Sequence, residues 1–351
     1  MRSQPSPQQN APTLLPESVV TRKLPLNFQE HDRELFSHEL DRTIPRTRLL
    51  EFKNIAVSAD GLLFRRLSIL PESFVFPENA NQWKLRSLVK FFADNYFLRR
   101  TRAIRRDVLW VTDEWSYGYF HWLTDVLARL YVMRERWRDL ILLLPSRYES
   151  LDFVRASLKC FAVRHVEFVA PNEMVRCSRL FMPTHTAPSG HYSEEAIRGV
   201  RALLVKSYGD SDYAGAGERI YISRGRAPKR RILNEDGMRE VLEQFGFQTI
   251  YAEDLSLEQQ INTCSRARYL VSNHGAGLTN MLFMPEGGSV LELRHHSDSI
   301  NNCYFTLSSA LNLNYYYQTC QSSDATDDPH TANLVVDPPT LKANLDLLTG
   351  S

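Results

Sequence analysis

The order of hydrophobic patterns after residue 218 leaves this chain few folds to choose from. Strand-like RIYISR (219–224) is followed by a basic loop, a helical run from near Asn234 to Gly246, and strand-like FQTIYA. A helix opened by Ser256, with Gln259 in capping-box spacing, comes next. Then follow RYLVSN, a Gly-rich loop, a short helix over 278–284, the strand SVLEL and a helix over about 299–312. Strands that alternate with helices in this way pair in parallel, because each crossover returns the chain to the same edge, and the helices cover the faces of the sheet.

The first half reads similarly. VLWVTD (108–113), LILLLP (140–145) and HVEFVA (165–170) look like buried strands, with helical runs over 119–136 and 149–160 between them. KNIAVSAD and RLFMP add strands, and a helix over 193–208 leads out. GDSDYAGAGE (209–218) is small, polar and Gly-rich, as a linker would be. A length of 351 residues suits two domains. The expected organisation is a flexible segment 1–22, an α/β domain 23–208, a linker 209–218, a second α/β domain 219–320 and a tail 321–351 free to pack back on the first domain. Two such halves would leave a ligand cleft between them.

Composition removes several function classes. With 43% hydrophobic and 24% charged residues the chain is an ordinary globular one, and 42 basic against 41 acidic residues give no overall demand for nucleic acid. No run approaches the roughly 20 apolar residues that cross a bilayer, and the opening MRSQPSPQQNAPTLLP lacks the apolar core of a secretory signal, so a cytosolic protein is expected. Five widely spaced cysteines without a C-x-x-C pair disfavour a disulfide framework and a structural zinc site.

In open parallel sheets the ligand sits beyond the carboxyl ends of the strands. The residues there are Arg224, Arg226, Lys229, Arg230 and Arg231 after the first strand of the second half, and Asn273, His274, Gly275, Ala276 and Gly277 after the third; Glu292 lies inside SVLEL. Arginine forks, glycine-loop amides and a carboxylate suit a nucleoside diphosphate: cations and N–H groups for the phosphates, the carboxylate for ribose hydroxyls. A solvated basic loop and a glycine turn kept for its backbone are the alternative readings. In the first half His121 and Asp125 are four apart and share a helical face, with Arg129 a turn on. The pair could supply a general base, or merely cap the surrounding aromatics. No G-x-x-x-x-G-K-[ST], G-x-G-x-x-G or G-x-S-x-G motif occurs. His38 and the His295–His296 pair lack a metal-binding spacing, since neighbours in a strand point to opposite faces.

Taken in order, YGYFHWLTDVLARL, YISRGRAPKRRILNEDGM, VSNHGAGLTNMLF and VLELR resemble the signature of glycosyltransferase family 61 over about 109–313. That resemblance implies a GT-B-type fold of two Rossmann-like α/β domains facing across a cleft, and an inverting transfer from a nucleotide sugar, usually a UDP-sugar, to a glycan hydroxyl. It implies no cofactor and no essential metal. Carried over to this sequence, it makes Asp125 the first candidate for the base, with His121 its orienter or the base itself. Ser223, Arg224, Lys229 and Arg230 would counter the diphosphate, and His274, Gly275, Ala276 and Gly277 would line it. Glu292 would meet the ribose; Asn234 and Glu235 match the family's N-E and equally suit a helix cap.

The expected role is a bacterial cytosolic enzyme of capsular or other surface polysaccharide, acting on a glycan or lipid-linked glycan. It would rest on the inner membrane through Lys90–Arg106, a stretch that also reads as a plain exposed amphipathic helix. A non-catalytic nucleotide- or glycan-binding protein of the same fold, or another nucleotide-sugar-modifying α/β enzyme, is the competing reading. Donor sugar, acceptor and oligomeric state are not written in these residues.

Overall fold

The structure, a computed structural model, describes residues 11–136, 139–210, 215–322 and 328–350. The chain forms two compact units, one of residues 1–18 with 45–189 and one of residues 19–44 with 190–351.

The first unit is built on strands β1 (Thr13–Leu15), β2 (Thr47–Ser58), β3 (Leu63–Arg65), β4 (Ser68–Ile69), β5 (Arg100–Leu109), β6 (Ile141–Pro145), β7 (Val166–Val169) and β8 (Glu173–Pro183). Their order is β4-β3-β2-β8-β5-β6-β7, with β1 on β2. Only β8, β5, β6 and β7 run parallel; β1 to β4 and β8 meet antiparallel. This half is therefore a mixed sheet rather than a fully Rossmann-like one. Leu143, Val108, Val175 and Leu180 lie in its core, packed around Trp110.

The second unit holds β9 (Arg219–Ile222), β10 (Gln248–Ile250), β11 (Tyr269–Asn273), β12 (Ser289–His295), β13 (Asn314–Ser322) and β14 (Leu334–Val335), in the order β10-β9-β11-β12-β13-β14. The first five are parallel. Their sequence order across the sheet is 2-1-3-4-5, which reverses between β9 and β11, and such a reversal opens a crevice at the carboxyl ends of those two strands. The capping box of Ser256 and Gln259 forms as its spacing predicts.

Several boundaries differ from the sequence reading. Residues 1–10, 211–214 and 323–327, in the expected flexible start, linker and tail, lie outside the described residues; the rest of segment 1–22 is partly in strands at Thr13–Leu15 and Ser18–Thr21. Residues 19–44 belong with the second unit because Phe36 packs against Phe305 and Tyr317, ring centroids 5.1 and 4.8 Å away. Helix Glu194–Tyr208 joins it as well, its Arg198 Nε donating to the Ala310 carbonyl at 2.6 Å. The tail does not return to the first half: helix Pro338–Thr349 buries Leu341, Leu345 and Leu348 in the core that holds Tyr221 and Leu291. Lys90–Arg106 is not one amphipathic helix, because the helix Leu85–Ala93 and a π turn end at Leu98 and β5 begins at Arg100. The helix expected over 278–284 is a 3₁₀ turn, Ala276–Phe283.

Candidate active site

Two clusters of polar side chains stand at strand carboxyl ends, one in each unit. In the second unit, the crevice between β9 and β11 brings Arg224 and Gly275 together. A Cβ at position 275 would lie 2.7 Å from Arg224 Cζ and 3.0 Å from its Nε, so the guanidinium lies directly against the loop backbone. Burial, and then the charge of Arg230, lower the pKa of Arg224. The Nε atoms of Arg224 and Arg230 are buried and find no hydrogen-bond partner among the described residues. Two half-buried guanidinium groups that repel each other and keep buried donors unpaired form a site that an anion would stabilise.

The loops are held from below. Asn273 Nδ2 donates to the Arg230 carbonyl at 2.5 Å, fixing the basic loop where Arg230 itself takes a positive φ of 57°. The Tyr304 hydroxyl donates to the Gly275 carbonyl at 2.6 Å. Gly277 is also required sterically, since its Cβ would stand 2.9 Å from Ile222 Cγ2. Ala276 and Lys229 are exposed.

Glu292 and Ser223 sit behind the crevice rather than in it. Glu292 is fully buried; it accepts from His274 Nδ1 at 2.5 Å and from the Tyr315 hydroxyl. Its carboxylate orients the His274 ring and leaves Nε2 as the nitrogen directed away. Ser223 Oγ donates to Glu235 at 2.5 Å and accepts the Gly225 N–H at 3.0 Å, which makes it a brace for the basic loop. Glu235 also takes the Tyr221 hydroxyl at 2.6 Å. Asn234 does not cap its helix through its side chain; it clamps Val336, donating to its carbonyl at 2.7 Å and accepting its N–H at 3.0 Å.

In the first unit, the helix from Tyr119 to Val132 contains a π turn over Trp122–Val126. Such turns recur where a helix serves a functional site, and Asp125 lies within this one. His121 Nδ1 meets Asp125 Oδ2 at 2.9 Å, and Ser189 Oγ donates to the same oxygen at 3.1 Å. The other oxygen faces Thr124 Oγ1 at 3.3 Å. The Asp125 side chain is 6% accessible and that of His121 24%, so the imidazole is the member that reaches solvent.

Behind this pair lies one that sequence reasoning did not single out. His185 Nε2 is 3.0 Å from Asp113 Oδ2, and the fully buried Arg129 lies 3.6 Å from the same atom. Burial pushes the Asp113 carboxyl up, but His185, Arg129 and Ser116 outweigh it and hold it at about 2. Burial lowers Arg129 to about 10 against the pull of Asp113 and Asp125, so it stays a cation at neutral pH. Asp113 follows β5, and His185 and Ser189 follow β8; the strand-end rule applied to the first half would have found all three.

Among the described residues no group of three or more His, Cys, Asp or Glu side chains is placed to hold a metal ion. His295 and His296 stack at 4.6 Å instead of diverging, because β12 ends at His295.

Residues 119–291 match the model of the family Glycosyltransferase 61. Over 98 residues the chain is 34% identical to the EGF domain-specific O-linked N-acetylglucosamine transferase of Drosophila melanogaster, covering 27% of this chain and 18% of that protein. Over 86 residues it is 37% identical to the protein O-linked-mannose beta-1,4-N-acetylglucosaminyltransferase 2 of Mus musculus, covering 23% of this chain and 15% of that protein. Each matched stretch thus spans less than a fifth of the relative's length. The matched region opens on the His121–Asp125 helix and runs through both loops of the β9–β11 crevice, so it is the part of the chain carrying both polar clusters that is similar to glycosyltransferase family 61.

Proposed function

We propose that this protein is an inverting glycosyltransferase that moves a sugar from a nucleotide donor, most simply a UDP-sugar, to a glycan hydroxyl. The observation that carries the reading is the Arg224 guanidinium set against Gly275 at the sheet's reversal point, with a buried Nε that has no partner among the described residues. A leaving diphosphate gathers negative charge as the sugar departs, and fixed cations with loop amides lower the cost of that charge. Arg224, Arg230 and His274 supply this role, with Lys229 at the rim and Glu292 and Ser223 as supports. The GT-B-type assignment of donor to the second unit and acceptor to the first, and independence of a metal, belong to the same proposal and rest on the family resemblance.

His121 is the base in this reading. Asp125 is almost fully buried with Oδ2 taken up by His121 and Ser189, whereas the more exposed His121 binds it through Nδ1 and, among the described residues, keeps Nε2 for an incoming hydroxyl. Asp125 then fixes the tautomer and offsets the charge that forms on the ring. This inverts the first choice drawn from the motif alone.

A thermal-shift panel of UDP-, GDP-, CMP- and dTDP-sugars, with and without EDTA, tests the donor and the metal together. One nucleotide class should stabilise the protein equally in both conditions, and Arg224→Ala should remove that shift. No shift with any nucleotide, or an unchanged shift in Arg224→Ala, overturns the assignment.

A further inference from the structure

The stretch of the first unit from Trp83 to Arg106 carries eight cations against one carboxylate, Asp94, in a protein whose net charge is only +1. It folds into the helix Leu85–Ala93, a π turn to Leu98 and strand β5, and the cations separate accordingly. Arg99, Arg100 and Arg102 pair with Asp60, Glu173 and Glu167. Arg105 instead faces a groove of about 950 Å³, lined also by Lys53, Arg65, Arg66, Tyr96 and Arg176. The groove forms where the β5–β8 register slips: Ile104 opposes Cys177 and Asp107 opposes Arg179, so Arg105 and Arg106 stand against Ser178 alone.

Beside this basic groove the surface is apolar. Phe97 is 85% exposed and Leu67 73%, and Leu98, Leu85 and Val89 are also exposed. The Tyr96 hydroxyl donates to the Arg66 carbonyl at 2.5 Å, which ties the end of the π turn to the tip of the β3–β4 hairpin and sets Leu67 near Phe97 and Leu98. At that tip Arg66 takes a positive φ of 53°, where Gly or Asn would cost less. One carboxylate, Glu51, also lines the groove and pairs with Lys53, while Arg65, Arg66, Arg105 and Arg176 make no ion pair among the described residues. Exposed bulky apolar side chains next to such cations are the composition of a bilayer-surface contact, in which rings enter the acyl boundary and basic groups meet phosphates. No helix among the described residues is long and apolar enough to cross a membrane.

We propose that this face docks on an anionic lipid bilayer, with Leu67, Phe97 and Leu98 in the acyl boundary and lipid phosphates in the groove of Arg65, Arg66, Arg105 and Arg176. Binding is read without turnover, so the outcome is independent of the transfer reading. The test is co-sedimentation with vesicles of phosphatidylcholine alone and of phosphatidylcholine mixed with phosphatidylglycerol. The expected result is at least about tenfold stronger partition to the anionic vesicles, most of it lost at high salt. Phe97→Ser with Leu98→Ser, and separately Arg105→Gln with Arg176→Gln, should each lower partition several-fold while the circular dichroism spectrum is kept. Equal partition to both vesicles, or variants that bind like the parent, overturn the proposal. So does displacement from vesicles by a neutral soluble glycan such as dextran, which would mark a glycan groove, or a solution dimer abolished by Phe97→Ser, which would mark a contact between copies.

Discussion

The guanidinium of Arg224 and the backbone of Gly275 are fitted to each other: a methyl group at position 275 would stand 2.7 Å from Arg224 Cζ. They come from the ends of two adjacent parallel strands at the point where strand order reverses. Glycine at 275 thus serves both the close approach of the cation and a backbone at φ 158°.

Gly275→Ala should therefore impair both ligand binding and folding. The clash is with the end of a flexible side chain, which can swing away, but the backbone at 275 has φ 158° and ψ 175°, a region that glycine alone adopts readily, so stability should fall by about 1–3 kcal/mol. The affinity for UDP should fall about tenfold, the loss of one or two charge-assisted hydrogen bonds. Calorimetric titration of the two proteins reads the difference; equal affinities would reject the fitted pair.

Glu292 and His274 should separate stability from binding. Glu292→Gln leaves His274 or Tyr315 without an acceptor in a fully buried place, and should cost about 1–3 kcal/mol in urea unfolding. His274→Ala removes a partly exposed ring and should weaken UDP binding more. If Glu292→Gln unfolds like the parent, the buried carboxylate is not the support described.

His121→Ala should lower kcat by about 10²–10⁴-fold with little change in the donor KM, the usual loss for a general base. Exogenous imidazole should restore part of the rate. Asp125→Asn should also be slow, through loss of the orienting carboxylate. Full activity in His121→Ala would return the base to Asp125.

Asp113 sets an acid limb. Its folded value of about 2 lies below the ordinary 3.8, so its stabilisation is complete above about pH 4 and is lost as the pH falls through 4 towards 2. The shift corresponds to roughly 2 kcal/mol for this buried group. Asp113→Asn should lower stability at neutral pH, leaving Arg129 without its carboxylate, and flatten that limb. Urea unfolding at several pH values between about 3 and 7 checks both; a limb of unchanged slope would show that other carboxylates carry it.

Much of the second unit was legible before any coordinates. Apolar runs of strand length, the capping box of Ser256 and the loops that follow each strand are local patterns, and local patterns survive into the fold when nothing distant opposes them. Strand β13, NYYYQTCQS, escaped this reading because its three tyrosines are consecutive and show no apolar–polar alternation; pairing with β12 decides it. Most of strand β5, residues 100–107, escaped for the opposite reason. Its arginines mimic the polar face of a helix, yet Ile104, Val108 and Leu109 are buried and both neighbours pair with it.

The sequence by itself determined the α/β class, the family motifs and the chemical types of the site: a His–Asp pair in one half, cations and a glycine loop in the other. The tertiary structure alone decided which of these groups face outward. Glu292 and Ser223 turned out to be supports, Asp113, His185 and Ser189 joined His121 and Asp125, and residues 19–44 moved to the second unit. The physical reason is that these outcomes depend on contacts across large sequence separations, such as Phe36 on Tyr317 and Asp113 with His185, whose partners no local spacing specifies.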